Sequence, residues 1–194
     1  MATAFTKQEE ALILAKLKRT AWECAVTLGV RKTTVDQLSE AAGISKGAFY
    51  KFYESKELLF FEVLEGMHTE IYGAAAAALR TIYSGTPADQ AAEAVLAACR
   101  AMDQTGMMTF LERDAPYLLR KVPQGHLNAH YHDDEVHIQE LLEAAGLQPS
   151  GGMALAAATV RGLMLTVAHK QEIGPLYPKV LDTLVRGACR QILP

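Results

Sequence analysis

Cysteine is scarce in this chain: Cys24, Cys99 and Cys189 are the three in 194 residues. They are odd in number, far apart and form no CxxC pair, so structural disulfides are not expected. No secretory signal is expected either. Lys7, Glu9, Glu10, Lys16, Lys18 and Arg19 interrupt the apolar residues near the N-terminus, which reads as an amphipathic helix and leads us to expect a cytoplasmic protein. The longest apolar stretch, Met153 to Ala168, is broken by Arg161 and is short for a bilayer, so no membrane partner is expected. No segment alternates apolar and polar residues as a half-buried strand would, which leaves an all-α reading. An excess of basic charge is also lacking: the formal net charge is −3.

Half of the residues are apolar and the mean hydropathy is +0.06, enough for a sizeable core. The charge is unevenly spread. Up to Phe60 there are nine Lys/Arg against seven Asp/Glu, whereas the remainder has ten against fifteen. Arg31, Lys32, Lys46, Lys51 and Lys56 gather around one segment, as expected if only that part meets a polyanion.

That segment is TVDQLSEAAGISKGAFYKFYESKELL, Thr34 to Leu59. Thr34 suits an N-cap, Val35, Leu38, Ala41 and Ala42 fall at helical spacing, and Gly43 ends the helix where a left-handed residue is needed. Ser45 caps a second, short helix in which Phe49 and Tyr53 share a packing face by i,i+4 spacing. Its other side offers Lys46, Gly47, Ala48, Tyr50 and Lys51. Ser55, Lys56 and Glu57 read as a further N-cap and first turn. The pattern is a helix-turn-helix whose second helix suits a major groove. Lys46, Gly47 and Ala48 are placed for base edges, Ala48 against a thymine methyl; Thr33, Thr34, Ser45, Tyr50, Lys51 and Lys56 are placed for phosphates.

On these residues the chain resembles the TetR family of bacterial transcription regulators. The family pattern is met at Thr34, Ala42, Gly43, Ile44, Ser45, Lys46, Gly47, Phe49, Tyr50, Tyr53, Ser55, Lys56, Glu57, Leu58 and Leu59, and the resemblance covers about residues 8 to 64. Phe52 stands where the family usually has tyrosine, and Leu38-Ser39 replaces the commoner Ile-Ala. The resemblance implies a homodimer on a double-stranded palindromic operator, a repressor released by a small-molecule effector, with no enzymatic activity and no cofactor. It also implies dimerisation through the last two helices.

Chain punctuation predicts about nine helices: an N-terminal helix-turn-helix DNA-binding head over residues 1–54 and a helical ligand-binding and dimerisation body over 55–194. The first helix is expected from Thr6 to Leu28, its stripe of Ala11, Leu14, Ala15, Ala21, Trp22 and Ala25 covering the motif. A fourth helix is expected to run unbroken from Ser55 through Met67 and Ile71 into the alanine run 74–78, up to Ser84. Later breaks are expected at Gly106, around Pro116, at Pro123, across Gly146 to Gly152, and at Gly174, Pro175 and Pro178. The helices Met153 to Glu172 and Pro178 to Leu193 are the candidates for self-association. The latter is apolar at Val180, Leu181, Leu184, Val185, Ala188 and Ile192.

For an effector, Met67, Met102, Met107, Phe110, Tyr117, Leu118 and Tyr131 offer adaptable apolar surface with polar tips, and Arg161 a cation inside an apolar helix. Ordinary core packing accounts for most of these equally well, and Arg161 can meet Glu112 or Asp114 instead. The segment His126 to His137 holds i,i+4 pairs His126/His130, His130/Asp134 and Asp133/His137, the spacing that lets two side chains share a metal ion. It has no HExxH arrangement and its histidines fan over more than one face, so we expect polar-face or pocket-wall histidines and no metal. Two other function classes compete: a metal-dependent hydrolase built on that segment, and a helical protein-interaction module. The first leaves the helix-turn-helix unexplained; the second is at odds with a cationic, hydrogen-bonding motif face.

Overall fold

Helix-stop chemistry dominates the chain, and the computed structural model, which describes residues 5–81 and 85–193, is built of α-helices with no strand among those residues. We number them α1 (Lys7–Thr27), α2 (Val35–Ala42), α3 (Lys46–Phe52), α4 (Lys56–Gly66), α5 (His68–Arg80), α6 (Pro87–Gln104), α7 (Met107–Lys121), α8 (Gln124–Ala144), α9 (Met153–Leu165) and α10 (Tyr177–Ile192). Capping boxes open three of them: Thr6 with Glu9, Thr34 with Gln37, and Thr86 with Asp89. Ser45 Oγ and Ser55 Oγ accept from the Ala48 and Leu58 amides at 3.1 and 3.2 Å. Gly43, at φ 74, takes the left-handed conformation that closes α2.

The helices assemble into two units. The first comprises the N-terminal residues through Gly66 together with Arg113–Val122; the second comprises Met67–Glu112 and the residues from Pro123 onward. The boundary therefore lies beyond the expected 54/55, because Leu59, Phe60, Phe61 and Leu64 of α4 are buried and complete the head's core. In this unit α1 packs on α2 and α4. Its buried stripe is Ile13, Leu17, Ala21 and Ala25, while Ala11 and Ala15 are exposed, so the face is rotated from the one expected. Ala has so little side chain that it marks a helix face poorly; Ile13 and Leu17 fix the true orientation.

Two expected boundaries are corrected. The fourth helix does not run on to the alanines: it stops at Gly66, and Met67 forms a single turn before α5, with the Glu70 amide bonding its carbonyl at 3.2 Å. Gly66 is a weak helix former, although Gly73 is tolerated inside α5. Conversely, Pro116 lies inside α7, which passes through it unbroken. A proline here deletes the bond to the Glu112 carbonyl and crowds that carbonyl with its ring. The helix is held on both sides of it: Asp114, Ala115 and Leu118 are buried, Arg113 donates to the Ala25 carbonyl, and Tyr117 OH donates to Glu57 at 2.8 Å. At Gly29 (φ 89) an added Cβ would lie 3.0 Å from Arg113 Nε and 3.2 Å from Asp114 Oδ2, so glycine serves both the turn and this close approach.

In the second unit α6 packs between α5 and α10, and α8 packs on α9 and α5. Tyr177, Leu181, Val185 and Cys189, spaced by fours, form the buried edge of α10. Ion pairs Arg186–Glu93 (2.6 Å) and Arg190–Asp89 (3.5 Å) tie α10 to α6. The helix expected from Met153 to Glu172 ends at Leu165 and continues as short turns through Leu176. Burial pushes the thiols of Cys99 and Cys189 up to about 11, which makes both inert near neutral pH.

Candidate nucleic-acid interface and the α5–α8 seam

The short helix α3 turns one face inward and one outward. Phe49 is fully buried and Tyr53 nearly so, their rings 6.0 Å apart, whereas Lys46, Gly47, Tyr50 and Lys51 are exposed. Tyr50 stands edge-on against Phe49, which props its phenol outward at 50% exposure. Ala48 is half-buried beside them on the same helix front. Lys46 forms an exposed ion pair with Asp36 at 3.0 Å, which orients the ammonium at the helix start and raises its pKa through that hydrogen bond. Thr34 and Ser45 lie at the two helix starts, with each side chain capping its helix. The set forms an outward, cationic surface whose aromatic is a polar phenol.

Two residues expected at phosphates are employed otherwise. Thr33 is fully buried and its hydroxyl donates to the Gly29 carbonyl at 2.9 Å. The ammonium of Lys56 donates to the carbonyls of Val30 (2.8 Å), Thr33 (2.6 Å) and Arg31 (3.3 Å). Those three bonds use every proton of the ammonium, so Lys56 braces the α1–α2 connection from beneath. Sequence spacing places a lysine on a helix start but cannot show that three loop carbonyls converge on it. Phe52, the departure from tyrosine, packs against Phe5 with ring centroids 5.9 Å apart.

Residues 18–63 match the family described as bacterial regulatory proteins, tetR family. Over those residues the head is similar to a TetR-family DNA-binding domain. The HTH-type transcriptional repressor KstR2 of Rhodococcus jostii (strain RHA1) is 40% identical over 45 residues, 23% of this chain and 22% of that protein, so the likeness spans about a fifth of the relative's length. Solved structures extend the likeness of fold to nearly the whole chain. A TetR transcriptional regulator from Rhodococcus sp. RHA1 matches with TM-score 0.67 at 17% identity, covering 94% of this chain and 96% of its own. NalD, the secondary repressor of the MexAB-OprM multidrug efflux pump in Pseudomonas aeruginosa, matches with 0.59 at 19% identity (96% and 98%). FadR from Bacillus subtilis, in complex with stearoyl-CoA, matches with 0.56 at 17% identity (89% and 98%).

Within this TetR-type head, Ser39 is the destabilising departure. It is 2% exposed, and its hydroxyl is buried without a hydrogen-bond partner. Ser39→Ala, which restores the family's commoner alanine, is expected to stabilise the head by about 1 kcal/mol, the usual cost of an unmet buried hydroxyl. Urea unfolding checks it; an unchanged midpoint would mean the hydroxyl finds a partner in solution.

The expected effector residues divide between the two units. Tyr117 and Leu118 fall in the first unit, where Tyr117 bonds Glu57 and lies beneath the Arg31 guanidinium, 5.2 Å from ring centroid to Cζ. Leu118 is fully buried. Their place on α7 hid this, because the unit boundary crosses that helix. In the second unit Met102, Met107 and Phe110 are buried and Met67 is half-buried. Arg161 donates to the Tyr131 carbonyl at 2.8 Å and lies over the Tyr131 ring at 4.9 Å, meeting neither Glu112 nor Asp114 in an ion pair among the described residues. Its Nε and Glu112 Oε1 are buried without a hydrogen-bond partner.

The histidine segment holds a feature that its own sequence could not show. On α8, His130, Asp134 and His137 share the edge that meets α5, where His68 and Tyr72 lie one turn apart. His68 stacks on His130 (5.0 Å between centroids) and Tyr72 on His137 (4.8 Å). Between the two stacks sits Asp134, which accepts from Tyr72 OH and lies 3.6 Å from both His68 Nδ1 and His130 Nε2. Burial lowers the pKa of His68; Asp134 partly opposes it and His130 adds to it. Burial, with the bond to Asp134, also pushes the Tyr72 phenol well above its usual range. His126 and His132 are exposed and stand outside this seam.

Proposed function

We propose that the chain is a homodimeric, operator-binding transcription regulator of the TetR type, a repressor released by a small molecule. The observation that carries this reading is α3, buried through Phe49 and Tyr53 while Lys46, Gly47, Tyr50 and Lys51 remain outward. Such a helix presents cations and a phenol to phosphates while a small-residue front approaches base edges. Dimerisation supplies the second head for a palindrome. Its proposed surface is α9 with α10. Leu155, Ala158, Gly162 and Leu165 lie in one row on α9, with Leu155 and Leu165 exposed, and Leu184 is exposed on α10. Leu181 and Val185, equally apolar, are instead buried in the core beside α6.

For the effector we assign Met67, Met102, Met107, Phe110, Tyr131 and Arg161, with Glu112 added by its unpartnered buried oxygen. An amphiphile suits them: apolar bulk against the methionines, and polar atoms for Arg161 Nε and Glu112. The stearoyl-CoA bound by FadR is one molecule of that class. α7 carries Met107 and Phe110 of one unit and Arg113 and Tyr117 of the other, so a shift of this helix couples occupancy to the head. A coupling of about 1–3 kcal/mol would change operator affinity about 5- to 150-fold.

Selection of bound sequences from a random duplex pool tests the operator reading, with affinities on the winner measured over a range of salt. We expect a palindrome. Lys46→Ala is expected to lose about 1–3 kcal/mol on that site and to relax the preference at one position per half-site. Recovery of no preferred sequence would overturn the operator reading.

A further inference from the structure

We infer that His68, His130 and Asp134 form a binding site for a divalent first-row transition metal, zinc being the test case, which clamps α5 to α8. One donor atom from each of the three residues lies within 4.8 Å of the other two, and both histidine–aspartate separations are 3.6 Å. Ligands on a tetrahedral zinc at about 2.1 Å are separated by about 3.4 Å. His68 Nδ1 faces Asp134 Oδ1 and His130 Nε2 faces Oδ2, each at 3.6 Å, so the carboxylate spans the two imidazoles and a rotation brings one of its oxygens to both. The widest edge, at most 4.8 Å, closes by up to about 1.4 Å through rotations of the stacked imidazoles.

The donor set is also chemically apt. Two imidazoles and a carboxylate suit zinc and its neighbours and leave a fourth position for water or another donor, whereas magnesium and calcium prefer all-oxygen surroundings. The supports that ligands need are in place. Tyr72 OH holds one Asp134 oxygen, and the side chains of His68, His130 and Asp134 are only 22%, 11% and 16% exposed. The three come from α5 and α8, helices far apart in sequence, so the site exists only in the folded second unit. The proposal stands apart from the operator reading, since it concerns metal uptake by the protein without DNA.

The experiment is titration of the metal-free, tag-free full chain with cobalt(II), following its visible d–d absorption, and then displacement by zinc. We expect one equivalent per chain and a zinc-dependent rise in melting temperature. His68→Gln and Asp134→Asn should each weaken uptake more than about 100-fold, Tyr72→Phe about 10- to 100-fold, and a His126→Gln, His132→Gln double variant should bind as the parent does. Far-ultraviolet circular dichroism confirms that each variant is folded. If His68→Gln unfolds the chain, Tyr72→Phe and the thermal shift of the parent decide the matter. A parent chain that takes up no cobalt overturns the proposal. So does uptake that His68→Gln leaves unchanged, because the metal would then sit on exposed histidines.

Discussion

A Leu165→Glu, Leu184→Glu double variant is expected to be a folded monomer with operator affinity reduced about 100- to 10,000-fold. Leu165 is 57% exposed and Leu184 42%, on two helices whose other faces are already packed. Two charges in an apolar interface have no hydration and no partner there, which dissociates the copies without disturbing either core. Each head would then bind its half-site alone and lose the effective concentration that a tethered second head provides. Sedimentation equilibrium reads the assembly, and titration of the selected duplex reads the affinity. A variant that remains dimeric would remove α9 and α10 from the interface, although the operator reading of the head would survive.

Asp114→Ala is expected to cost the first unit about 2–3 kcal/mol of stability. Asp114 is 2% exposed and accepts from Arg113 Nε at 2.9 Å, while Arg113 also donates to the Ala25 carbonyl. Removing the carboxylate strands the guanidinium beside Gly29 without the anion that faces it. Fully buried pairs broken in this way lose about 3–5 kcal/mol; the 37% exposure of Arg113 admits water and trims that figure. Asp114→Asn retains an acceptor and should lose less. Urea unfolding followed by circular dichroism measures both, and a loss below about 0.5 kcal/mol would show that the pair does not persist in solution. The prediction bears on function as well, because this pair anchors the stretch of α7 that follows Glu112.

Local chemistry made the head legible. Thr34, Gly43 and Ser45 act within four residues of themselves, and Phe49 with Tyr53 obeys a single helical turn, so their roles follow from spacing alone. The same reasoning failed at Lys56, whose three acceptors lie 23 to 26 residues away, and at Thr33, whose burial depends on the loop's path. It failed at Pro116 for a related reason: propensity opposes a helix there, and contacts from α1 and α4 override it.

In the second unit the same division runs deeper. Its helical character, the places where most helices stop and the shared face of His130 and Asp134 were all readable from the chain, because capping, glycine and i,i+4 spacing are local properties. Packing between helices brought His68 and Tyr72 to that face, drew Tyr117 and Leu118 into the head, and consumed Leu181 and Val185 of the apolar edge of α10 against α6. Each of those outcomes depends on which helices pack together, and an amphipathic stripe states that a helix needs a partner without naming it.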